Sequence, residues 1–278
     1  MRVLIVGCGY VGRFLAVELS SDGDTVFALR RTPFDIEGNV TTLQGDLFDP
    51  ASLGVIPKKL DAVVYTVSAD SSSVGSYRKA YVQGILALRR IFSSRADSSP
   101  RFLFASSTSV YGQSTGEWVD EKSATNPESF RGEIVLEGEA AVKSSFDHAC
   151  SVRFGGIYGP GRTRLPRAVQ EKTFKLPPIR PYFTNRIHQS DAAGVLRHLL
   201  RLKSVPTKVV AVDNDPADLY DVAEWVSRRV DSSLPAEVEA GWKRALGHKR
   251  CSNRLLRQLG YRFQFPTFRE GYGPLLCE

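Results

Sequence analysis

Three glycines near the start of the chain have the spacing of a phosphate-binding turn. Gly7, Gly9 and Gly12 form the pattern G-x-G-x-x-G directly after a run of four apolar residues. In such a unit the first glycine permits a tight turn, the second lets the backbone approach a pyrophosphate, and the third allows close helix–strand packing. The N–H groups of Tyr10 and Val11, at the start of the next helix, would face the same phosphates. The pattern predicts a dinucleotide-binding turn, with a purely structural glycine turn as the alternative.

Two arginines bear on which dinucleotide is bound. About 20 residues beyond the turn, an NAD-specific fold places a carboxylate against the ribose 2′-hydroxyl. This chain has Arg30 and Arg31 there instead. Planar guanidinium groups bind a phosphate through paired hydrogen bonds. The sequence therefore favours NADP(H) over NAD(H), with two solvated arginines at a strand end as the alternative.

The elements that must position these residues follow an alternating pattern. Short runs rich in Val, Leu and Phe alternate with segments in which apolar residues recur every three to four positions, as helices covering a parallel sheet require. The fold class predicted is α/β, a doubly wound Rossmann-type parallel sheet with a smaller C-terminal substrate lobe. The predicted strands are Arg2–Val6, Thr25–Leu29, Val40–Leu43, Ala62–Thr66, Arg101–Ala105 and Ala149–Arg153, and the helices are Val11–Leu19, Tyr77–Phe92 and Ser129–Lys143.

The pattern changes after Arg153. A stretch rich in Gly, Pro and Arg runs to Pro181, and periodic segments then resume. We expect residues 1–160, with returning segments at 185–215, to form the nucleotide-binding domain. Residues 161–278 would form the smaller, interleaved lobe.

Composition limits the classes of protein and partner. The chain has 278 residues, a net charge of +7 and four widely spaced cysteines without CxxC spacing. No apolar run is long enough to span a bilayer, and no zinc-finger spacing or basic–aromatic block is present. We therefore expect a cytoplasmic protein with a small-molecule substrate, no nucleic acid, no membrane and no metal. The oligomeric state is left open, with a homodimer as one candidate.

Four further motifs resemble the short-chain dehydrogenase/reductase superfamily, in its extended or atypical branch, the NAD-dependent epimerase/dehydratase family. The resemblance runs nearly the full length, and together the motifs are more specific than any one of them. They are Gly45-Asp46-Leu47, Val67-Ser68-Ala69, Ser106-Ser107-Thr108-Ser109-Val110-Tyr111-Gly112, and Arg153-Phe154-Gly155-Gly156-Ile157-Tyr158-Gly159-Pro160-Gly161.

The resemblance implies roles for residues at matching positions. Ser107 would be the catalytic hydroxyl that hydrogen-bonds a substrate oxygen, with Thr108 beside it at the substrate. Capping of a strand end is the alternative for these hydroxyls.

The resemblance also implies cofactor contacts: Asp46 and Leu47 at the adenine, Val67, Ser68, Ala69 and Ser106 along the cofactor wall, and Gly155, Gly156 and Ile157 near the nicotinamide. A turn cap is the alternative for Asp46, and loop packing is the alternative for the other cofactor residues.

The chain departs from the family at its Tyr-x-x-x-Lys pair. Phe130 and Ile134 stand at the matching positions, and neither can carry a proton. A positioned acid or base typically contributes 10²–10⁴-fold to rate, so its loss separates binding from catalysis. Tyr111, Tyr158 and His188 are candidate substitutes, and Tyr111 is the one we place in the catalytic set. A packed aromatic residue or histidine is the alternative for each.

A basic segment follows the last of these motifs. In the resembled family the regions around Arg162, Arg186 and His188 face the substrate, and guanidinium groups suit phosphate oxygens. Solvated loop arginines are the alternative. Asp191 fits better as a first-turn acid that stabilises a helix.

Together these features predict an NADP(H)-preferring, epimerase/dehydratase-like oxidoreductase. Its substrate would be small and phosphate-bearing or similar to a sugar nucleotide. A non-catalytic NADP(H)-binding sensor or scaffold is the rival hypothesis, favoured by the missing pair. A nucleic-acid-associated regulator ranks third and would bind with a steep salt dependence.

Overall fold

The computed structural model of the protein describes residues 1–93, 99–238 and 247–276. Strands and helices alternate along most of this part of the chain. The strands are β1 (Arg2–Val6), β2 (Thr25–Arg30), β3 (Val40–Gln44), β4 (Ala62–Tyr65), β5 (Arg101–Ser107), β6 (Trp118–Val119), β7 (Ala149–Phe154), β8 (Gly156–Tyr158), β9 (Arg186–His188), β10 (Lys208–Ala211) and β11 (Arg250–Cys251). The helices are α1 (Tyr10–Ser21), α2 (Val74–Arg78), α3 (Gly84–Ser93), α4 (Phe130–Ser145), α5 (Arg164–Gln170), α6 (Gln189–Arg201), α7 (Leu219–Arg229), α8 (Arg254–Gln258) and α9 (Phe268–Leu275).

Within the described residues, seven strands form one sheet in the order β10-β7-β5-β4-β1-β2-β3. The pairs β5–β4, β4–β1, β1–β2 and β2–β3 are parallel. Strand order reverses between β1 and β4, which makes that point the switch of a doubly wound sheet, where ligands bind beyond the carboxyl ends of the strands. The predicted fold class is confirmed.

Apolar runs explain where the strands lie. β1 is apolar from Val3 to Val6 and buried at all four of these positions, and β4 is buried throughout, as expected of strands with helices on both faces. All six predicted strands are present, with ends that differ by at most two residues. The predicted helix Ser129–Lys143 is also confirmed, and Ser129 is its N-cap, because the Ser129 side chain accepts a hydrogen bond from Gly132 N.

The predicted helix over Tyr77–Phe92 is present, and a π-helical turn at residues 79–83 divides it into α2 and α3. The buried Tyr65 hydroxyl donates a 2.5 Å hydrogen bond to the Ala80 carbonyl inside this turn. A Cβ on Gly84 would lie 2.2 Å from the same hydroxyl, so only glycine fits there. One extra residue in the turn rotates α2 relative to α3 by about 100° compared with a regular helix.

Contacts divide the chain into two compact units, each made of several segments. Unit 1 comprises residues 1–110, 129–153 and 193–209, and unit 2 comprises residues 111–128, 154–192 and 210–278. Residues 111–128, which the sequence placed in the nucleotide-binding domain, belong to unit 2, where β6 pairs with β11. Unit 1 has a core that includes Leu4, Val63, Phe102, Phe104 and Val142. Unit 2 has its own core around Tyr158, Val222, Val226, Phe268 and Tyr272.

Candidate functional site

The glycine turn follows β1 in unit 1 and is sterically specified. Gly7 has a φ of +85°, and a Cβ on it would lie 2.6 Å from the backbone N of Val67. A Cβ on Gly12 would lie 2.9 Å from Thr66 Oγ1, whose hydroxyl donates to the Gly7 carbonyl at 2.9 Å. The residues just beyond β1 and β4 therefore pack directly on each other at the switch point.

Helix α1 begins at this turn with its positive end uncovered by acidic groups. Gly9 is the N-cap residue, no side chain caps the helix, and the first turn has no acidic residue. Gly9 is exposed, and the nearest atom to a Cβ on it would be the Gly7 carbonyl oxygen at 3.8 Å. A helix N-terminus of this kind binds anions through its dipole and N–H groups, including those of Tyr10 and Val11. The turn fits a pyrophosphate.

Two guanidinium groups lie near the turn. Arg30, at the end of β2, lies 4.8 Å from the centre of the Phe34 ring, and Arg13 lies 6.0 Å from the same ring. Burial raises the pKa of Cys8, inside the turn, to about 11, and the charges of Arg13 and Arg30 oppose that rise. The sequence analysis missed Arg13, although its position directly after Gly12 was the available signal.

The second predicted arginine has a carboxylate partner. Arg31 Nη2 lies 2.6 Å from Asp70 Oδ1 and Arg31 Nη1 lies 2.9 Å from Asp70 Oδ2, and both side chains are more than half exposed. An exposed pair of this kind has a median worth of ~0–1 kcal/mol. Asp70 balances the charge of Arg31, whereas Arg13 and Arg30 form no ion pair within the described residues. Arg13 and Arg30 thus carry positive charge near the turn that no carboxylate in the described residues balances.

The predicted adenine contacts follow β3. Asp46 Oδ1 accepts a 3.0 Å hydrogen bond from Phe48 N, so its carboxylate caps the turn. Leu47 is half-buried and borders a cavity of about 530 Å³ within unit 1. The other residues lining the cavity are Phe48, Pro50, Leu53, Gln83, Leu86, Ala87, Arg90 and Ile91.

The predicted cofactor wall follows β4 and β5. Val67 and Ala69 are half-buried, and Ser68 is exposed. Ser106 is buried, and its hydroxyl donates a 2.6 Å hydrogen bond to Glu139 Oε1 on α4. The hydroxyl of Ser106 therefore stabilises the protein interior.

Glu139 also forms a buried ion pair with Arg153 on β7. Arg153 Nε lies 2.8 Å from Glu139 Oε1, and Arg153 Nη2 lies 2.6 Å from Glu139 Oε2. The side chain of Arg153 is 2% exposed and that of Glu139 is 10% exposed. This network joins α4 to the ends of β5 and β7 beneath the predicted site.

The predicted catalytic hydroxyl lies at the carboxyl end of β5. Ser107 is half-buried, and its Oγ accepts a 3.1 Å hydrogen bond from Ser109 N. Thr108 is half-buried beside it. Helix α4 packs against residues 108–110. This packing brings the start of the helix that carries Phe130 and Ile134 to the same edge of the sheet.

Phe130 and Ile134, which replace the tyrosine and lysine of the family's pair, pack against other side chains in the structure. Ile134 is 1% exposed and belongs to the core. Phe130 is half-buried, and its ring makes an edge contact with Tyr77, with 5.6 Å between ring centroids. Tyr77 lies on α2, and sequence reasoning did not single it out.

Tyr111, the other predicted catalytic residue, is in unit 2. Its side chain is 2% exposed, and its hydroxyl donates to the Asp120 carbonyl at 2.7 Å. Its own carbonyl accepts a 2.9 Å hydrogen bond from Lys249 Nζ. Lys249 is 4% exposed, and burial lowers its pKa. These contacts anchor the segment that follows Ser107–Val110.

The remaining predicted cofactor residues lie between β7 and β8 in unit 2. Gly155 donates to the Ala211 carbonyl at 3.1 Å, and a Cβ on it would lie 3.0 Å from the Asn185 carbonyl oxygen. Gly156 is exposed and Ile157 is half-buried. This backbone is closely packed at Gly155 and accessible at Gly156.

The predicted substrate residues of unit 2 differ in exposure. Arg162 is exposed. Arg186 and His188 are each 5% exposed, and His188 Nδ1 accepts a 3.2 Å hydrogen bond from Ser190 N. Burial lowers the pKa of His188. Asp191 is a first-turn acid of α6, as predicted, and accepts hydrogen bonds from Gln264 N and Phe265 N.

A buried polar cluster surrounds Arg186. Arg186 Nη1, Asp213 Oδ2 and the Tyr158 hydroxyl are buried without a hydrogen-bond partner among the described residues. Burial raises the pKa of Asp213 to about 8, and the positive charge of Arg186 opposes that rise. Near neutral pH this carboxyl is therefore mostly protonated.

Within the described residues, no group of three or more His, Cys, Asp or Glu side chains is placed to hold a metal ion. Cys8, Cys150 and Cys251 are buried with free thiols, and Cys277 lies outside the described residues. None of the helices in residues 1–93, 99–238 and 247–276 has both the length and the apolar character to cross a membrane.

Comparisons with known proteins agree with this geometry. The model of the NAD dependent epimerase/dehydratase family matches residues 3–195. Protein YeeZ of Escherichia coli K12 is 27% identical over 279 residues, covering 95% of this chain and 96% of YeeZ. The solved structure of a candidate NAD-dependent epimerase/dehydratase from Methylobacillus flagellatus is 30% identical, with a TM-score of 0.81, and covers 99% of this chain and 97% of its own.

Two structures with bound ligands share the fold at 20% identity, a level that shows the fold alone. The human epimerase family protein SDR39U1 with NADPH has a TM-score of 0.80 and covers 100% of both chains. MoeE5 in complex with UDP-glucuronic acid and NAD has a TM-score of 0.82 and covers 98% of this chain and 97% of its own.

Proposed function

Because this chain belongs to the NAD-dependent epimerase/dehydratase family, we propose that it is an NADP(H)-preferring oxidoreductase or epimerase-like enzyme. Its substrate is small and phosphate-bearing or similar to a sugar nucleotide. One observation carries the proposal: the Gly7 turn packs on Val67 at the switch point, and two unpaired guanidinium groups lie beside that turn. A dinucleotide with an added phosphate matches both features.

The preference for NADP(H) rests on charge at the end of β2. Arg30 and Arg13 supply positive charge without a carboxylate partner, and Arg31 adds a third guanidinium balanced by Asp70. The family fold accommodates both cofactors, since SDR39U1 contains NADPH and MoeE5 contains NAD. The local arginines support the proposed preference for NADP(H).

The catalytic part of the proposal centres on Ser107. When bound, the nicotinamide supplies or accepts a hydride, and Ser107 orients the substrate oxygen by a hydrogen bond. Thr108 lies beside it. Gly155, Gly156 and Ile157 of unit 2 are assigned to the nicotinamide by their match to the family's motif. In unit 2 the exposed Arg162 is best suited to a phosphate group. The buried Arg186 and His188 shape the substrate lobe, and MoeE5 illustrates a UDP-sugar on this fold.

A non-catalytic NADP(H)-binding sensor or scaffold is the second candidate. Phe130 and Ile134 favour it, because both are packed apolar side chains and neither exchanges protons. A scaffold of this kind binds nucleotide without turnover. Cytoplasmic location, a homodimer and the lack of nucleic-acid binding stay predictions from the sequence.

Cofactor binding is tested by thermal shifts with NADPH and NADH at equal concentration. A ligand stabilises the folded protein in proportion to the logarithm of its concentration over Kd, so NADPH should give the larger shift. Equal shifts would contradict the assignment of Arg13 and Arg30.

Catalysis is tested by following NADPH absorbance with carbonyl compounds and sugar nucleotides. Ser107→Ala should reduce kcat strongly while leaving the NADPH thermal shift intact. Ser109→Ala removes a hydroxyl two residues away and should retain activity. Tight NADPH binding without turnover across the panel would favour the scaffold.

A further inference from the structure

We propose that Tyr77 is the proton carrier of this site, with the guanidinium of Arg131 beside its ring. This inference rests on the proposed function, because it names the acid and base of the same reaction. Both residues belong to unit 1, as do the glycine turn and Ser107.

Tyr77 lies at the edge of the sheet where the other functional residues gather. The glycine turn, Val67 and Ser107 follow the carboxyl ends of β1, β4 and β5. The chain beyond Val67 leads directly into α2, and α2 packs against α4. Helix α4 in turn packs against residues 108–110, next to Ser107. A ligand at the switch point therefore lies at the same edge of the sheet as the Tyr77 phenol.

The phenol of Tyr77 is available for proton transfer. Its side chain is half-buried, and within the described residues its hydroxyl has no hydrogen-bond partner. The hydroxyls of Tyr65 and Tyr111 are instead bound to the carbonyls of Ala80 and Asp120 in buried positions. Tyr77 thus retains the freedom that a proton carrier requires.

Arg131 supplies positive charge at the same place. Its guanidinium carbon lies 5.8 Å from the centre of the Tyr77 ring and 5.7 Å from the centre of the Phe130 ring. It forms no ion pair within the described residues, whereas the neighbouring Arg78 is bound to Glu137 at 2.6 Å. An unbalanced guanidinium therefore lies beside the Tyr77 ring.

The ring of Tyr81 also contacts Tyr77, with 5.4 Å between ring centroids. Burial raises the pKa of Tyr81, and the Tyr77 phenol raises it further. Tyr81 therefore stays protonated. It provides a matched control, because it has the same hydroxyl in the same aromatic cluster without the contact to Arg131.

The proton step balances in both directions. For carbonyl reduction, a bound NADPH would supply the hydride that the carbonyl carbon accepts. The Tyr77 O–H bond breaks, its proton passes to the substrate oxygen, and the electron pair of that bond stays on the phenol oxygen. A proton from solvent then restores the half-exposed phenol. During alcohol oxidation the phenolate accepts the proton instead.

The first experiment needs no substrate. With tyrosine labelled by ¹³C in the ring, the Tyr77 resonance is assigned by its loss in Tyr77→Phe. NADP⁺ should shift this resonance, whereas 2′,5′-ADP, which lacks the nicotinamide, should leave it nearly unchanged. Equal responses to both nucleotides, or no response to either, would overturn the placement of Tyr77 at the nicotinamide.

The second experiment measures turnover. Tyr77→Phe should lower kcat by about 10²–10⁴-fold while the thermal shift with NADPH stays the same, and Tyr81→Phe should stay within about twofold of the wild type. Full activity of Tyr77→Phe, or equal losses in Tyr77→Phe and Tyr81→Phe, would refute the role.

The two proposals fail in distinguishable ways. If the wild-type protein shows no thermal shift with NADPH, the proposed function fails. If it binds NADPH and Tyr77 behaves like Tyr81 by resonance or by turnover, only the assignment of Tyr77 fails.

Discussion

Replacement of Arg153 by methionine tests the buried network that supports the site. The substitution removes the cation bound to Glu139 and leaves the carboxylate in the interior with the Ser106 hydroxyl as a donor. Methionine fills similar volume with an apolar, flexible side chain, so the change is mainly electrostatic. Arg153→Met should therefore destabilise unit 1.

Burial of the Arg153–Glu139 ion pair determines the size of the expected loss in unfolding free energy. Removing one partner of a buried ion pair costs about 3–5 kcal/mol, because an uncompensated charge is left inside. The loss should approach that range, because Arg153 is 2% exposed and donates to both oxygens of Glu139. At roughly 2–4 °C per kcal/mol, Tm should fall by about 6–20 °C.

Urea unfolding followed by circular dichroism measures this loss, and the chain offers a matched control. Arg78 on α2 forms a similar two-oxygen ion pair with Glu137, which lies on α4 as Glu139 does. The side chains of Arg78 and Glu137 are 49% and 42% exposed. Arg78→Met should cost less than about 1 kcal/mol. Combining Arg153→Met with Glu139→Gln should recover much of the loss, because the buried charge is gone.

Equal losses of unfolding free energy in Arg153→Met and Arg78→Met would contradict this prediction. A double variant as unstable as Arg153→Met alone would contradict it too. In either case burial would not determine the strength of this pair.

Three further predictions concern the turn, the cofactor and pH. Gly7→Ala should abolish the NADPH thermal shift and destabilise more than Gly23→Ala, because both glycines have φ near +85° but a Cβ on Gly23 meets nothing within 4 Å; equal losses in urea titrations would contradict the clash. Arg30→Ala should weaken NADPH binding by about 10- to 150-fold, with NADH binding unchanged in calorimetry, and the exposed Arg89→Ala should change neither. Burial raises the pKa of Asp213 from an ordinary 3.8 to about 8, so the native state keeps this proton to higher pH than the unfolded state does. The free energy of unfolding should therefore fall as the pH rises from about 4 to about 8, by up to ~1.4 kcal/mol per pH unit relative to Asp213→Asn. Parallel stability curves for the wild type and Asp213→Asn would exclude the raised pKa.

Sequence reasoning succeeded where neighbours along the chain specify the structure. The glycine turn and the six strands could be predicted because tight turns and apolar runs are local properties. The π-helical turn inside the predicted helix Tyr77–Phe92 was not predicted, because its Ala80 carbonyl accepts a hydrogen bond from Tyr65, a residue of β4. Pairing of β6 with β11 likewise drew residues 111–128 into unit 2, although they follow β5 directly in sequence.

The fold class, the glycine turn and the basic residues at the end of β2 could all be read from the order of residues along the chain. Which of those basic residues has a carboxylate partner depends on the folded chain. Arg31 is balanced by Asp70, 39 positions away, while Arg13 joins Arg30 beside the turn. The same holds for Tyr77, which meets Phe130 and Arg131 only because α2 and α4 pack together. Charge and burial depend on neighbours in space, and spacing along the chain does not specify those neighbours.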